Sequence, residues 1–470
     1  MSSSHPAIES RLEFIRTGQA SRNDGRNLPA RPFTEHEPEV AALNPGGEGD
    51  VAETVLEHGP EQRPKTATEL GVRRGVLEDL ALKNLYVLGA ASTRELARQM
   101  RVSLNVADEL FLRLKSELLC QVTGMAASIP TVALTTQGRT RALELLSQSQ
   151  YTGAAPVSLD RYVEQVRKQT VRRVVVHRAQ VEKAFSGLVI DEKILGQIGT
   201  ALNSGAPIFL HGPAGVGKTA IAETMSKVLV NDDVWIPYAV EVDGQMITVF
   251  DPMIHRHIGE AEDGVHDERW VRCRRPSVLV GGELTIEMLD LQFNHATRFY
   301  DGPVQMKANN GVLILDDFGR QRVSPEELLN RWIVPLDRGI DYLSMAGGKK
   351  IEMPFEMLVV FATNMDPSEL VDAAFLRRMQ TKIRVDAASD RQFSTIFRRV
   401  ASEKGLAIDD AVLKGLIATI RETMRQELRG CQPRDLINQV CWAAQYEDRT
   451  PHLDQKSLQR AVEMYFLVNA

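Results

Sequence analysis

The stretch Pro207-Ile208-Phe209-Leu210-His211-Gly212-Pro213-Ala214-Gly215-Val216-Gly217-Lys218-Thr219 leaves very few folds open to this chain. A short apolar run feeds a glycine-rich turn, and a helical pattern continues through Ala220-Ile221-Ala222-Glu223-Thr224-Met225. The spacing G-x-x-x-x-G-K-T is that of a phosphate-binding loop. Gly212, Gly215 and Gly217 let successive backbone N–H groups converge on a polyphosphate without side chains in the way. The helix that follows adds unpaired N–H groups and the positive end of its dipole. Lys218 has the reach for β- and γ-phosphates, and the Thr219 hydroxyl suits one position on Mg²⁺. The expected nucleotide-binding set is Gly212, Pro213, Ala214, Gly215, Val216, Gly217, Lys218, Thr219 and Ala220. A glycine-rich turn without a ligand is the competing reading. The strand before the loop and the helix after it weigh against that.

A chain of 470 residues is long enough for two to four domains. Its net charge of −6 gives no global argument for nucleic acid, so such a claim needs a local basic patch. Cys120, Cys273, Cys431 and Cys441 are scattered, without metal-ligand spacing, and read as free thiols of a reducing compartment. His255, His257 and His266 share a polar loop, where a solvated loop is favoured over a metal site. No apolar run approaches the ~18 residues of a membrane span, and Met1-Ser2-Ser3-Ser4-His5-Pro6 does not open a signal peptide. A cytoplasmic chain without membrane insertion is expected.

Residues 1–65 read as a disordered acidic tail: Glu35 to Glu61 holds eight acids and no Lys or Arg. A short helix around Ile8–Ile15 is compatible with it. Residues 66–150 change character. An amphipathic helix, Gly75 to Leu88, precedes the capping box Ser92-Thr93-Arg94-Glu95, which opens a helix ending near Met100. Ser103 caps a third helix, Leu104 to Leu119. Gln121–Gly124 and Thr131–Thr135 then read as a hairpin, followed by a helix from Gly138 to Leu146. Three helices and a hairpin resemble a winged helix. The third helix carries Asp108, Glu109 and Glu117 against Arg113 and Lys115, which favours protein docking over DNA reading. Residues 151–180 read as a basic linker helix, with Arg161, Arg167, Lys168, Arg172, Arg173 and Arg178. Three readings stand for it: a solvated face, a nucleic-acid contact, or a contact with the acidic tail.

Gly311-Val312-Leu313-Ile314-Leu315-Asp316-Asp317 is a buried-strand pattern ending in two acids. Asp316 suits the Mg²⁺ shell, and Asp317 suits the base that orients or deprotonates water. Leu358 to Thr363 is a further apolar strand ending at Asn364, whose amide could hold that water from the far side. Phe375-Leu376-Arg377-Arg378-Met379 and Cys431-Gln432-Pro433-Arg434-Asp435-Leu436 follow.

In this order the motifs resemble those of the AAA+ ATPases, over roughly residues 180–470. The resemblance implies an α/β P-loop core, a parallel sheet flanked by helices, at 181–386 and a helical lid at 387–470. It makes Gly212–Thr219 Walker A, Asp316-Asp317 Walker B, Asn364 sensor 1 and Arg434 sensor 2. Arg378, with Arg377 as second choice, would be the arginine finger. It further implies ATP and Mg²⁺ as ligands and a homo-oligomeric ring, most often a hexamer, in which Arg378 reaches a neighbour's γ-phosphate.

Ile340–Met345 and Lys349–Met353 flank Ala346-Gly347-Gly348 just before the sensor-1 strand, a hairpin similar to that of the MoxR-like branch. There Lys349 and Lys350 are either pore contacts with substrate or lysines of an exposed turn. Two departures stand out. Asp317 occupies a position where the family usually carries Glu, one methylene longer, so slow turnover is expected. Val234 to Asp251, turning at Asp243-Gly244, reads as an extra hairpin inside the core, with a loop from Met253 to Pro276 leading to a helix near Thr285–Phe293. Lid helices are expected at Gln392–Glu403, Asp409–Leu428, Arg434–Gln445 and Gln455–Phe466. The leading expectation is an ATP-driven remodeller of a protein partner recruited through the winged helix. The alternatives are a DNA-associated motor or regulator, and a nucleotide-gated scaffold with very slow hydrolysis.

Overall fold

The computed structural model describes residues 60, 63–126, 129–229, 233–259, 266–370, 376, 377 and 379–466. Nearly all of the acidic tail and Arg378 lie outside the described residues.

The first unit is built from α1 (Arg74–Leu88), β1 (Ala91–Ser92), α2 (Thr93–Met100), α3 (Leu104–Ser116), β2 (Cys120–Ala126), β3 (Ile129–Leu134) and α4 (Thr136–Gln148). The capping box forms: Ser92 Oγ accepts from the Glu95 N–H, and the Glu95 carboxylate accepts from the Ser92 N–H at 2.7 Å. Strand order is β1-β3-β2, and Leu77, Leu80, Leu96, Val106, Leu110 and Val132 fill the space between sheet and helices.

The segment expected as a linker, 151–180, is instead part of the packed structure. Strand β4 (Val157–Ser158) pairs with a later strand, and α5 (Leu159–Lys168) buries Tyr162, Gln165 and Val166. Gln169 is the reason the chain cannot hang free here. Its amide donates to Trp235 O and Asn310 Oδ1 and accepts from the Trp235 N–H, all within 3.0 Å and buried. Pulling the segment away would leave these buried groups unpaired, at a cost of ~1–3 kcal/mol each.

Helices α6 (Arg178–Phe185) and α7 (Glu192–Ser204) lead to β5 (Ile208–His211) and α8 (Lys218–Val228). An inserted region follows: β6 (Asp233–Pro237), β7 (Ala239–Val242), β8 (Gln245–Thr248) and β9 (Trp270–Arg274). The Asp243-Gly244 turn between β7 and β8 forms as expected, with φ 51° and 85° at its two residues. The hairpin is larger than an isolated ribbon. After β10 (Ser277–Val280) come β11 (Gln292–Asn294) and β12 (Phe299–Asp301), and these complete a five-stranded sheet of order β11-β12-β8-β7-β4. The helix expected near 285–293 is only a 3₁₀ turn, Ile286–Leu289, because Gln292–Asn294 is drawn into strand pairing with Phe299–Asp301.

This insertion carries the first unit. Ala239 and Met246 belong to the first unit's apolar core, Arg73 pairs with Glu241, and Tyr151 packs edge-on to Phe299. The anchor is Arg269, wholly buried. It is bidentate to Asp267 and donates from Nη1 to Leu70 O and Pro156 O at 2.9 and 2.8 Å. Removing one partner of such a pair strands a buried charge. Arg269→Ala is therefore expected to destabilise by ~3–5 kcal/mol, read as a lower midpoint in thermal or denaturant unfolding, with Arg269→Met plus Asp267→Leu recovering most of the loss. An unchanged midpoint in the single variant would contradict the anchoring role.

The remaining elements are β13 (Val312–Leu315), α9 (Pro325–Arg338), β14 (Ile340–Ser344), β15 (Lys350–Pro354), β16 (Leu358–Thr363) and β17 (Thr381–Arg384). Strands β10-β13-β16-β5-β17 form one sheet, parallel throughout. Its strands read as unbroken apolar runs because α6, α7 and α8 cover one face, while α9 and its neighbours cover the other. In chain order the sheet runs second, third, fourth, first, fifth. The order reverses beside β5, so its crevice opens at the C-terminal ends of β5, β13 and β16.

The C-terminal helical domain comprises α10 (Asp390–Glu403), α11 (Asp410–Ala418), α12 (Gln432–Tyr446) and α13 (Gln455–Tyr465) around Phe393, Phe397, Ile420, Leu436 and Val440. The expected long helix Asp409–Leu428 ends early. It widens into a π-turn at Thr419–Thr423, Arg425 takes a left-handed conformation (φ 51°), and the extended chain beyond places the Leu428 carbonyl on the Ala388 N–H. That break sends residues 429–431 back to the phosphate-binding loop. No helix among the described residues is long and apolar enough to cross a membrane.

Candidate nucleotide site

The loop between β5 and α8 holds its shape through glycines that nothing else could replace. At Gly212, φ is 142° and a Cβ would lie 2.1 Å from Val385 O, because the Val385 N–H donates to His211 O as β17 closes on β5. At Gly215, φ is 80° and a Cβ would meet Cys431 Sγ at 2.7 Å. Val216 packs on the apolar core below the loop. Pro213 and Ala214 lie in the turn itself, and Ala220 in the first turn of α8.

Lys218 is buried, and its Nζ donates to Gly212 O (2.9 Å), Pro213 O (2.8 Å) and Asn364 Oδ1 (2.6 Å). Burial pushes its amine below the ordinary value, and the nearby Asp317 and Asp316 carboxylates oppose that shift. The amine thus caps the carbonyls that would face an incoming phosphate. Thr219 Oγ1 donates to the Asp316 carboxylate, 3.0 and 2.9 Å from its two oxygens. Asn364 Nδ2 donates to Asp317 Oδ1 at 2.7 Å. The chain Lys218–Asn364–Asp317 and the pair Thr219–Asp316 therefore stand together at three adjacent strand ends, with both carboxylates near the Lys218 amine.

Asp317 reaches Asn364 from a left-handed backbone (φ 49°). The chain then turns so that the Phe318 N–H donates to Ala362 O (2.7 Å) and Phe318 O accepts from Thr363 Oγ1 (2.6 Å). Phe318 wedges against Phe361 and Phe209 beneath the site. This clamp fixes the spacing between the two acids and the amide.

Thr219 and Asp316 offer hard oxygen donors, one hydroxyl and one carboxylate, which suits Mg²⁺ shared with phosphates and water. No cluster of three or more His, Cys, Asp or Glu fit for a metal occurs among the described residues. His255 is buried instead: its Nδ1 accepts from the Asp251 N–H and its Nε2 meets Lys307 O.

Two expected contributors are not brought to this cluster. Arg434, exposed on α12, donates to Asp435 at 3.3 Å. Arg377 is exposed, and Arg378 lies outside the described residues. The lid meets the loop through other residues: the Cys431 N–H donates to Gly215 O, and the Arg429 side chain packs within 3.4 Å of where a Gly215 Cβ would stand. Arg429 Nε is buried without a hydrogen-bond partner, a cation held against the loop. The sequence signal was weak: an Arg-Gly pair in the short connection between two expected lid helices.

Lys349 pairs with Asp243 of the inserted hairpin, tying the tip of the β14–β15 hairpin to the insertion, while Lys350 is exposed.

The sequence profile of a family described as a domain of unknown function (DUF8689) matches residues 389–464, the C-terminal helical domain. No curated protein matches the chain. Among solved structures it is similar to a point mutant of Thermotoga maritima RuvB (16% identity, TM-score 0.34, covering 62% of this chain and 70% of that one). The Thermotoga maritima RuvB Holliday junction branch migration motor gives 17% identity and a TM-score of 0.32 over 66% and 72% of the two chains. Domain III of the Thermotoga maritima replication initiation protein DnaA gives 12% and 0.35 over 61% and 98%. Strand order, loop and acid pair define the class: an α/β core with a parallel sheet and a phosphate-binding loop, followed by a helical domain.

Proposed function

We propose that this chain is a Mg²⁺-dependent ATPase that works as a ring, most simply a hexamer, and uses ATP binding and hydrolysis to remodel a protein partner. The observation that carries the ATPase reading is the connected cluster Lys218–Asn364–Asp317 beside Thr219–Asp316 at the mouth of the phosphate-binding loop. With ATP in the loop, Lys218 exchanges its carbonyl partners for phosphate oxygens, which releases the Asn364 amide. Asn364 and Asp317 then hold a water in line with the γ-phosphorus. As the new P–O bond forms and the bond to the β-phosphate oxygen breaks, Asp317 takes the water's proton, leaving ADP and inorganic phosphate. Mg²⁺ held by Thr219 and Asp316 would supply charge neutralisation on the phosphates. Arg378 of a neighbouring subunit would complete the charge balance, and Arg434 would sense the phosphates once the lid closes.

The MoxR-like reading is supported by the hairpin β14–β15 directly before β16, with Lys350 exposed at the start of β15. The first unit is read as a winged helix that docks protein. Glu109 on its third helix is already engaged by Arg74 and by the Ala67 N–H, and Glu117 by Arg113, while Leu112 on the same helix is 62% exposed. That face suits an apolar contact better than a phosphate backbone.

Asp317→Asn is the test of the hydrolytic step. Single-turnover hydrolysis should fall by ~10²-fold or more while ATP affinity stays within a few-fold. Hydrolysis as fast as the parent's would remove Asp317 as the base. It would leave a nucleotide-gated scaffold as the better reading, which the short carboxylate on a left-handed backbone also favours.

A further inference from the structure

Behind the two acids at the end of β13 the chain makes a closed turn, and one side chain ties its ends together. Gln321 Nε2 donates to Asp316 O at 2.8 Å, and Gln321 Oε1 accepts from the Gly319 N–H at 2.8 Å. Inside that ring the Arg320 N–H donates to Asp317 O at 3.0 Å. A carboxamide suits the place because it offers a donor on one side and an acceptor on the other. Both partners are backbone groups, so Gln321 acts on the shape of the turn and not on a reacting atom.

This shape has to be enforced. Asp317 takes a left-handed backbone (φ 49°), which a residue with a Cβ keeps only where its surroundings demand it. Its side chain is also short. The carboxylate carbon is bonded directly to Cβ, so the backbone decides where the carboxylate stands. On one side the demand comes from Phe318, whose N–H and carbonyl are bonded to Ala362 and Thr363. Gln321, half-buried, supplies it on the other. Its own backbone is poorly free to follow a moving turn. The Arg322 N–H donates to Gly282 O and the Val323 N–H to Leu284 O, and Val323 is buried in the same apolar cluster as Leu284 and Phe318. Gly319 (φ 102°) is packed so closely that a Cβ there would lie 2.7 Å from Leu370 Cδ2.

We infer that Gln321 positions the base of the hydrolytic step, an assignment that rests on the ATPase reading above: it fixes the turn that aims Asp317 at the water shared with Asn364. Without the carboxamide, Asp316 O and the Gly319 N–H turn to water for partners. Asp317 then relaxes toward an ordinary backbone, and its carboxylate leaves the line of attack. Lys218 and the glycines of the phosphate-binding loop stand at another strand end and keep hold of ATP. Chemistry is lost and binding is spared.

The test compares the full chain with Gln321→Ala, Asp317→Asn and the double variant, by single-turnover hydrolysis and by calorimetric titration with ATP and Mg²⁺. Gln321→Ala should slow hydrolysis by ~10²-fold, as a misplacement of about 1 Å does, and leave ATP affinity within about threefold. In the Asp317→Asn background it should slow hydrolysis by no more than about twofold, because the group it aims is already gone. A side chain that merely stabilised the fold would cost the same factor in both backgrounds, about 10⁴-fold in the double variant against the parent. Gln321→Glu, ionised at pH 8, keeps an acceptor for the Gly319 N–H, loses the donor to Asp316 O, and should slow hydrolysis by about tenfold or more. Should the alanine variant not fold, which its ATP affinity reports, Gln321→Glu with and without Asp317→Asn carries the same comparison. A factor as large in the Asp317→Asn background as in the parent, a rate within about threefold of the parent's, or a loss confined to ATP affinity would each overturn the role of Gln321 and leave the ATPase reading standing. A parent chain that does not hydrolyse ATP, or an Asp317→Asn variant as fast as the parent, would remove both together.

Discussion

Lys218→Ala should raise the ATP dissociation constant by ~10³-fold or more and leave no measurable turnover. The amine is buried at the loop, where it satisfies the Gly212 and Pro213 carbonyls together with Asn364 Oδ1. With ATP absent these contacts hold the loop in a compact form. With ATP present the same charge meets the phosphates, in a place too buried for water to screen it well. Hydrogen bonds to a charged group contribute ~1.5–3 kcal/mol each, so losing two or three of them at the triphosphate accounts for the expected drop. Asn364 would also lose its anchor and swing with Asp317, so residual binding would not restore hydrolysis. Calorimetric titration with ATP and Mg²⁺ measures this directly. A dissociation constant within tenfold of the parent's would mean that the loop is not the nucleotide site.

Arg378→Ala should behave in the opposite manner, sparing ATP affinity and reducing turnover by ~10³–10⁵-fold. The cluster of Lys218, Thr219, Asp316, Asp317 and Asn364 supplies one amine against two carboxylates and the triphosphate's own charge. Among the described residues, this cluster holds no second cation to meet the charge that builds on the γ-phosphoryl oxygens as the bond to ADP breaks. A guanidinium arriving from a neighbour would do so, at ~4–7 kcal/mol of barrier lowering. Binding measured by titration and turnover measured by phosphate release separate the two roles. Equal losses in both would contradict the finger assignment, and Arg377→Ala, expected to be milder, provides the comparison.

Much of this site was legible because its signals are local. The glycines of 212–217, the apolar runs of β13 and β16, and the acids and amide at their ends are contiguous, and parallel packing brings the ends together without further instruction. The Asp243-Gly244 turn and the Ser92 capping box were legible for the same reason. What escaped depends on partners distant in the chain. Gln169 meets Trp235 and Asn310, and Arg269 meets Leu70 and Pro156, so neither the packed state of 151–180 nor the docking of the first unit could be read from nearby residues. The early end of α11 follows from the pull of Leu428 toward Ala388, which overrides a helical pattern that looks unbroken. Arg429 came to the loop, and Arg434 did not, for that reason.

The most direct test of the account mixes two inactive proteins. Lys218→Ala lacks a working loop but carries Arg378, and Arg378→Ala has a working loop but no finger. If a site is completed by its neighbour, random co-assembly pairs a good loop with a good finger in roughly a quarter of positions. Phosphate release from an equimolar mixture should then return to about that fraction of the parent's rate, and should vanish on dilution. A mixture as inactive as its components, beside a parent whose specific activity is unchanged on dilution, would show that each chain works alone, contradicting the ring.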